Sequence, residues 1–161
     1  MYERSEANTS KVCAHLKAGL VIASLLAVVS CADSSAPKVR VEGTDPIIIV
    51  HSYEGSHDAL ISGNLAYDAK SKCLRVGDDR SATPVWPENT RPVLVDGRRG
   101  VELPGIGTAL EGDKVEGGGG GSTWRKDPPA GVTFPEGCLP PGQDGTVIIF
   151  GEVTGVTRAG H

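Results

Sequence analysis

Aromatic side chains are scarce in this 161-residue chain, which has two Trp, three Tyr and two Phe. The single Met is the initiator. Helical periodicity is missing after Cys31. No segment there carries apolar residues at i, i+3, i+4 and i+7 over two turns, which argues against an α-helical domain. Positive charge is also short, with 16 Lys and Arg against 20 Asp and Glu. Without the three basic and two acidic side chains of residues 1–30, the formal charge moves from −4 to −5. That excludes the dense basic surface that nucleic acid requires, and a basic patch for anionic lipid. Apolar runs stay far below the roughly 20 residues that span a bilayer as a helix. There is no G-x-S-x-G nucleophile elbow.

What is present is glycine, at 22 residues, proline, at 11, and short aliphatic bursts between turns. One burst differs from the rest. Gly19–Val29 is apolar apart from Ser24, follows a segment holding Arg4, Lys11 and Lys17, and ends at Ser30-Cys31. Basic region, short apolar region and small residue before a cut are the parts of a secretory signal peptide. Val28-Val29-Ser30-Cys31 resembles a bacterial lipobox. The resemblance implies cleavage after Ser30, a diacylglycerol on the Cys31 sulfur, and a mature chain held on the extracytoplasmic face of the cell membrane. One acyl chain binds only marginally, and a lipobox cysteine carries at least two. Residues 31–46 then read as a polar tether reaching about 50 Å when extended.

Residues 47–158 read as one β-domain, followed by a tail at 159–161. Ile47–Val50 is too short for a helix and fits a buried strand. His51–His57 reads as a loop. Ala59–Tyr67, with a bulge near Gly63, pairs with Cys73–Val76 across a polar turn. Thr83–Pro87 is extended, because each Pro moves its predecessor out of the α region. Pro92–Val95 and Gly100–Leu103 form a hairpin around Asp96-Gly97. Gly107–Leu110 and Lys114–Glu116 form another, and Gly117–Gly121 reads as mobile chain or tight turns. Asp127–Gly145 is irregular. Thr146–Val156 closes the domain as a long, bent strand. The class is all-β, either a sandwich or a small Greek-key barrel of OB-like size. The glycine-rich strands favour the barrel, because they allow the sharp bends that closure needs.

Few residues suggest chemistry. His51, Glu54 and His57 form H-x-x-E-x-x-H, but Gly55 and the missing periodicity deny the helix of a zinc protease. The glycine run lacks the lysine of a phosphate loop. Asp78, Asp79, Glu111, Asp113 and Glu116 sit in or beside turns, where carboxylates serve local hydrogen bonding. Asp78-Asp79 allows a loose calcium site but lacks EF-hand spacing. No metal and no cofactor is assigned. Trp86, between Pro84 and Pro87, is either a core plug or a ring offered to a ligand; Trp124 reads as a packing anchor. Of four cysteines, Cys13 leaves with the signal peptide and Cys31 is consumed by lipid. Cys73 and Cys138 remain to pair in an oxidising compartment, with free thiols or an intermolecular bridge as the alternatives.

The succession Gly63–Asp68 (GNLAYD), Cys73–Val76 (CLRV), Pro84–Thr90 (PVWPENT), Val101–Gly105 (VELPG) and Glu111–Gly120 (EGDKVEGGGG) is similar to a group of small secreted or lipid-anchored proteins of high-GC Gram-positive bacteria. That group has no assigned activity, so the resemblance implies location and fold and no catalytic residue. The expected role is non-enzymatic, with the bilayer, through the Cys31 acyl chains, and an envelope component or protein as partners. The alternative is an envelope hydrolase acting on glycan or peptide through loop carboxylates.

Overall fold

The computed structural model describes residues 39–53, 59–78, 82–124, 129, 132–139 and 146–160. The signal segment, Cys31, Glu54, His57, Asp79 and His161 lie outside the described residues. Among the described residues there are ten strands: β1 (Val39–Glu42), β2 (Ile48–His51), β3 (Ala59–Asp68), β4 (Cys73–Val76), β5 (Thr83–Pro87), β6 (Arg91–Val95), β7 (Arg98–Leu103), β8 (Gly107–Leu110), β9 (Lys114–Thr123) and β10 (Thr146–Thr157). Among the described residues there is no helix, so the protein is all-β.

Seven strands form a mixed sheet in the order β1-β2-β5-β10-β9-β3-β4, and β6-β7-β8 form a small antiparallel sheet. The barrel expected from the glycine-rich strands does not close. Among the described residues the backbone pairing of β4 on the side of β2 and β5 consists of the isolated bridges Ile47↔Cys73 and Val76↔Ala82, with no continuous ladder. The arrangement is that of a sandwich, whose two sheets share one core. Val101 and Leu103 of β7 and Ala109 of β8 pack with Ile48, Val50, Leu65, Leu74, Trp86, Phe150 and Val153 of the large sheet.

Ile47–Val50 is apolar at every position because β2 is covered on both faces. Ile48 and Val50 enter the main core. Ile49 turns the other way, into a second cluster with Val39, Val85, Trp124 and Val147, onto which Val132, Phe134 and Leu139 pack. β2 pairs in parallel with β5, and β5 with β10, and strands of a parallel sheet are commonly buried on both faces.

Four local expectations are corrected. Residues 39–42, read as tether, form β1 and pair antiparallel with β2, because Val39 is an anchor of the second cluster. His51 closes β2 and is buried, so the loop starts after it. β3 has no bulge at Gly63. It changes partner there instead, pairing with β9 through Asn64 and with β4 from Leu65. The hairpin of Gly107–Leu110 with Lys114–Glu116 does not form, since β8 pairs with β7 while β9 lies between β3 and β10.

The glycine run is the largest departure. Gly117–Gly121 is the middle of β9, inside the sheet. A Cβ at Gly117 would sit 2.2 Å from the Glu152 carbonyl oxygen, and one at Gly119 2.2 Å from that of Ile149. Gly117 and Gly119 are glycine because the β10 backbone, shifted in register between Phe150 and Glu152 and again between Val153 and Gly155, approaches too closely there for a side chain. The hairpin at Asp96-Gly97 is as expected. Both residues have positive φ, 49° and 80°, which suits the two-residue turn joining twisted strands.

Candidate functional site

Two tight turns stand next to each other on one side of the molecule. In Pro87-Glu88-Asn89-Thr90 the Thr90 N–H donates to the Pro87 carbonyl, and Asn89 has φ 68°. In Leu103-Pro104-Gly105-Ile106 the Ile106 N–H donates to the Leu103 carbonyl, and Gly105 has φ 75°. Positive φ at the third position is what a type II turn demands, and the second turn also has the favoured Pro, Pro104, at its second position. The second turn separates two adjoining hollows. One, of about 360 Å³, is lined by Pro87, Glu88, the turn, and Gly151–Val153 of β10. The other, of about 560 Å³, is lined by Asn89, Arg91, Glu102, the same turn and Gly107. The bulge in β10 leaves Gly151 unpaired and brings Glu152 to the first hollow.

The groove so formed is lined by apolar and acidic side chains. Leu103 and Val153 are buried, Pro87 is half-buried, and Pro104 and Ile106 are exposed, Ile106 by 42%. Glu88, Glu102 and Glu152 are its carboxylates and Arg91 its cation. Trp86 lies just behind the first turn. Its indole is fully buried and stacks on Phe150, centroids 5.1 Å apart and planes 4° from parallel, so it serves as a core plug and offers no ring to a ligand at the surface. The Trp86 Nε1 and the Thr90 hydroxyl are buried without a hydrogen-bond partner.

The other candidates are held by structural tasks. His51 is buried. The Tyr53 N–H donates to its Nδ1 at 3.0 Å, so Nε2 carries the proton and donates to the Phe150 carbonyl at 2.8 Å. Both ring nitrogens are thereby engaged with backbone. Asp113 is fully buried; Oδ2 accepts from the Leu110 N–H, and Oδ1 from the Ala159 N–H and from Arg98 at 3.0 Å. Burial alone would raise its pKa, but the two backbone donors and Arg98 outweigh it and hold the carboxyl below its ordinary value. Glu116 pairs with Lys114 at 2.7 Å. Asp78 and Glu111 line a separate hollow of about 400 Å³ with Asn64. Among the described residues no group of three or more His, Cys, Asp or Glu gathers where a metal ion could sit.

Three arrangements went unforeseen in the sequence. Cys73 and Cys138 are joined, as expected, with Cα atoms 5.4 Å apart. Arg75, two residues along β4 on the same face, donates to the carbonyls of Gly137 and Cys138 and to the Thr83 hydroxyl, and lies 3.4 Å from Asp68. The Asp68 pKa is lowered, chiefly by the Ser71 hydroxyl, against some burial, with Arg75 adding to it. On the surface, Asp45 accepts from Tyr67 at 2.9 Å and from Arg99 at 3.1 Å, and the guanidinium lies over the Tyr67 ring. Arg99 and then Tyr67 hold the Asp45 carboxyl below its ordinary value. This cluster ties the small sheet to the β1–β2 turn. The third is the groove, whose only sequence signals are the turn residues of Pro-Glu-Asn and Leu-Pro-Gly. Comparison with known proteins finds no matching family model, curated protein or solved structure.

Proposed function

We propose that this chain is a lipid-anchored, extracytoplasmic β-domain that binds an envelope component through the groove between the Pro87–Thr90 and Leu103–Ile106 turns. The location rests on Val28-Val29-Ser30-Cys31 at the end of the Gly19–Val29 apolar run. The binding role is carried by one observation. An exposed Ile106 stands among apolar side chains and carboxylates, on turns held by hydrogen bonds and left-handed residues. Such a surface is preorganised, and a ligand meeting it loses little to loop ordering.

A photo-crosslinking residue at position 106, in chain purified with its membrane, tests the binding role. A control crosslinker belongs at Lys70, exposed in the turn between β3 and β4. Adducts with one envelope component from position 106 and none from position 70 support the reading. Equal adducts from both positions contradict it.

A second reading is hydrolysis of glycan or peptide, favoured by Glu88 and Glu152 lining one hollow. A carboxylate pair can supply acid and base across a scissile bond. Turnover of cell-wall fragments, abolished by Glu152→Gln and by Glu88→Gln, would establish the hydrolase over the binding module.

A further inference from the structure

We infer that the groove receives an extended peptide segment that carries a basic side chain beside an apolar one, an inference resting on the groove being the binding site. Charge selects the class. The lining holds Glu88, Glu102 and Glu152 against Arg91. Among the described residues, Glu102 and Glu152 enter no ion pair and no side-chain hydrogen bond. Glu88 has only Arg40, at 3.5 Å, and Arg40 is closer to Glu42, at 2.6 Å. Glu102 and Glu152 are therefore uncommitted. An anionic partner would meet like charge, whereas a lysine or arginine side chain finds complementary potential.

Shape selects a peptide over a small amine. The two hollows share the Leu103–Ile106 turn, so an occupant of both must run past Ile106. β6 begins at Arg91, a groove residue, and is the end strand of the small sheet. Its outer edge has no partner strand among the described residues. Leu94, 58% exposed, and Val95, 40% exposed, stand farther along it, on opposite faces of the strand. An added strand gains main-chain hydrogen bonds from such an edge and specificity from the side-chain hollows beside it. Pro92 takes an outward-facing position and lacks an N–H, so the edge offers an added strand the Leu94 N–H and the Pro92 and Leu94 carbonyls.

The test uses the full chain in detergent and a fluorescein-labelled heptapeptide, Gly-Ala-Val-Lys-Val-Ala-Gly, followed by fluorescence anisotropy. Its counterpart with Glu in place of Lys is the control. The Lys peptide binds saturably and more weakly as salt rises, because Debye screening shortens. The double variant Glu102→Gln/Glu152→Gln weakens it by roughly five- to tenfold, the worth of two partly exposed ion pairs. Both carboxylates are in no ion pair, so the variant keeps the thermal midpoint of the parent, which separates lost binding from lost fold. Equal affinity for the two peptides overturns the inference, as does unchanged affinity in the double variant. A concentration-dependent dimer that buries Leu94 also overturns it, in favour of a second copy as occupant. If neither peptide binds while the position-106 crosslink to an envelope component persists, the peptide inference fails and the binding-module reading stands.

Discussion

Arg75 donates to the carbonyl oxygen of Cys138 at 2.7 Å, so the residue bonded covalently to Cys73 is also gripped by a guanidinium two positions along the same strand. The irregular 132–139 segment has no strand of its own and packs Val132, Phe134 and Leu139 over the second cluster. Disulfide and guanidinium, together with the Thr83 hydroxyl that donates to the Cys138 carbonyl, keep this cover in place. Removing the disulfide as Cys73→Ser/Cys138→Ser should cost up to about 4 kcal/mol for a separation of 65 residues, on the chain-entropy view. Arg75→Met should cost about 1–3 kcal/mol, since it strands the Gly137 carbonyl and leaves the Cys138 carbonyl to the Thr83 hydroxyl alone. Urea unfolding of the single-site and combined variants measures both. Because both ties hold one segment, the combined loss should fall short of the sum; strict additivity would show that they act independently.

Acid should unfold the protein through its low-pKa carboxylates. Asp45, Asp68 and Asp113 all have pKa values below their ordinary ones in the fold. A folded pKa below the unfolded one, near 3.9 for Asp, adds stability that is complete above that value and is lost as pH falls through the folded pKa. The thermal midpoint should therefore be flat from about pH 7 to 5 and drop steeply below about pH 4. Asp113→Asn should lower the plateau and flatten the acid limb. An unchanged acid limb in that variant would remove Asp113 from the account.

Gly119→Val should be among the most damaging single changes outside the main core. Its Cβ would lie 2.2 Å from the Ile149 carbonyl oxygen and 2.4 Å from the Ile61 Cδ1. The β9–β10 pairing must open to admit it, at a cost of several kcal/mol, roughly the upper end for single substitutions. Hydrogen exchange should quicken along β9 and β10. Wild-type stability in the variant would show the run to be mobile chain after all.

Thr90→Val should hold or raise stability by about 1 kcal/mol. The Thr90 hydroxyl is buried and without a hydrogen-bond partner, and an isosteric methyl removes that penalty. A loss above about 1 kcal/mol in chemical denaturation would mean that the hydroxyl is satisfied in solution.

Much of this architecture was legible in the sequence because it is written in local terms. The Asp96-Gly97 hairpin, the β3–β4 pairing and the buried run at Ile47–Val50 follow from turn chemistry and apolar pattern. What was not legible depends on neighbours distant in sequence. Gly117–Gly121 looks like a linker until the β10 backbone is laid against it. Val39 looks like tether until it is seen beside Ile49 and Val85. The barrel expectation failed for the same reason, because glycine permits the bend that closure needs and does not specify the ladder that completes it. His51 belonged to a metal-like pattern, yet the strand it ends points it at the Phe150 carbonyl. The groove was least visible, since its carboxylates come from β5–β6, β7 and β10, and nothing in their spacing links them.

The intact mass of the protein isolated from membranes tests the proposed role most directly. The account predicts a mature chain that begins at Cys31 and carries a diacylglycerol on its sulfur, and a Cys31→Ala variant that stays unprocessed and takes up no lipid label. A mature N-terminus elsewhere, or one at Cys31 without acyl mass, would contradict it.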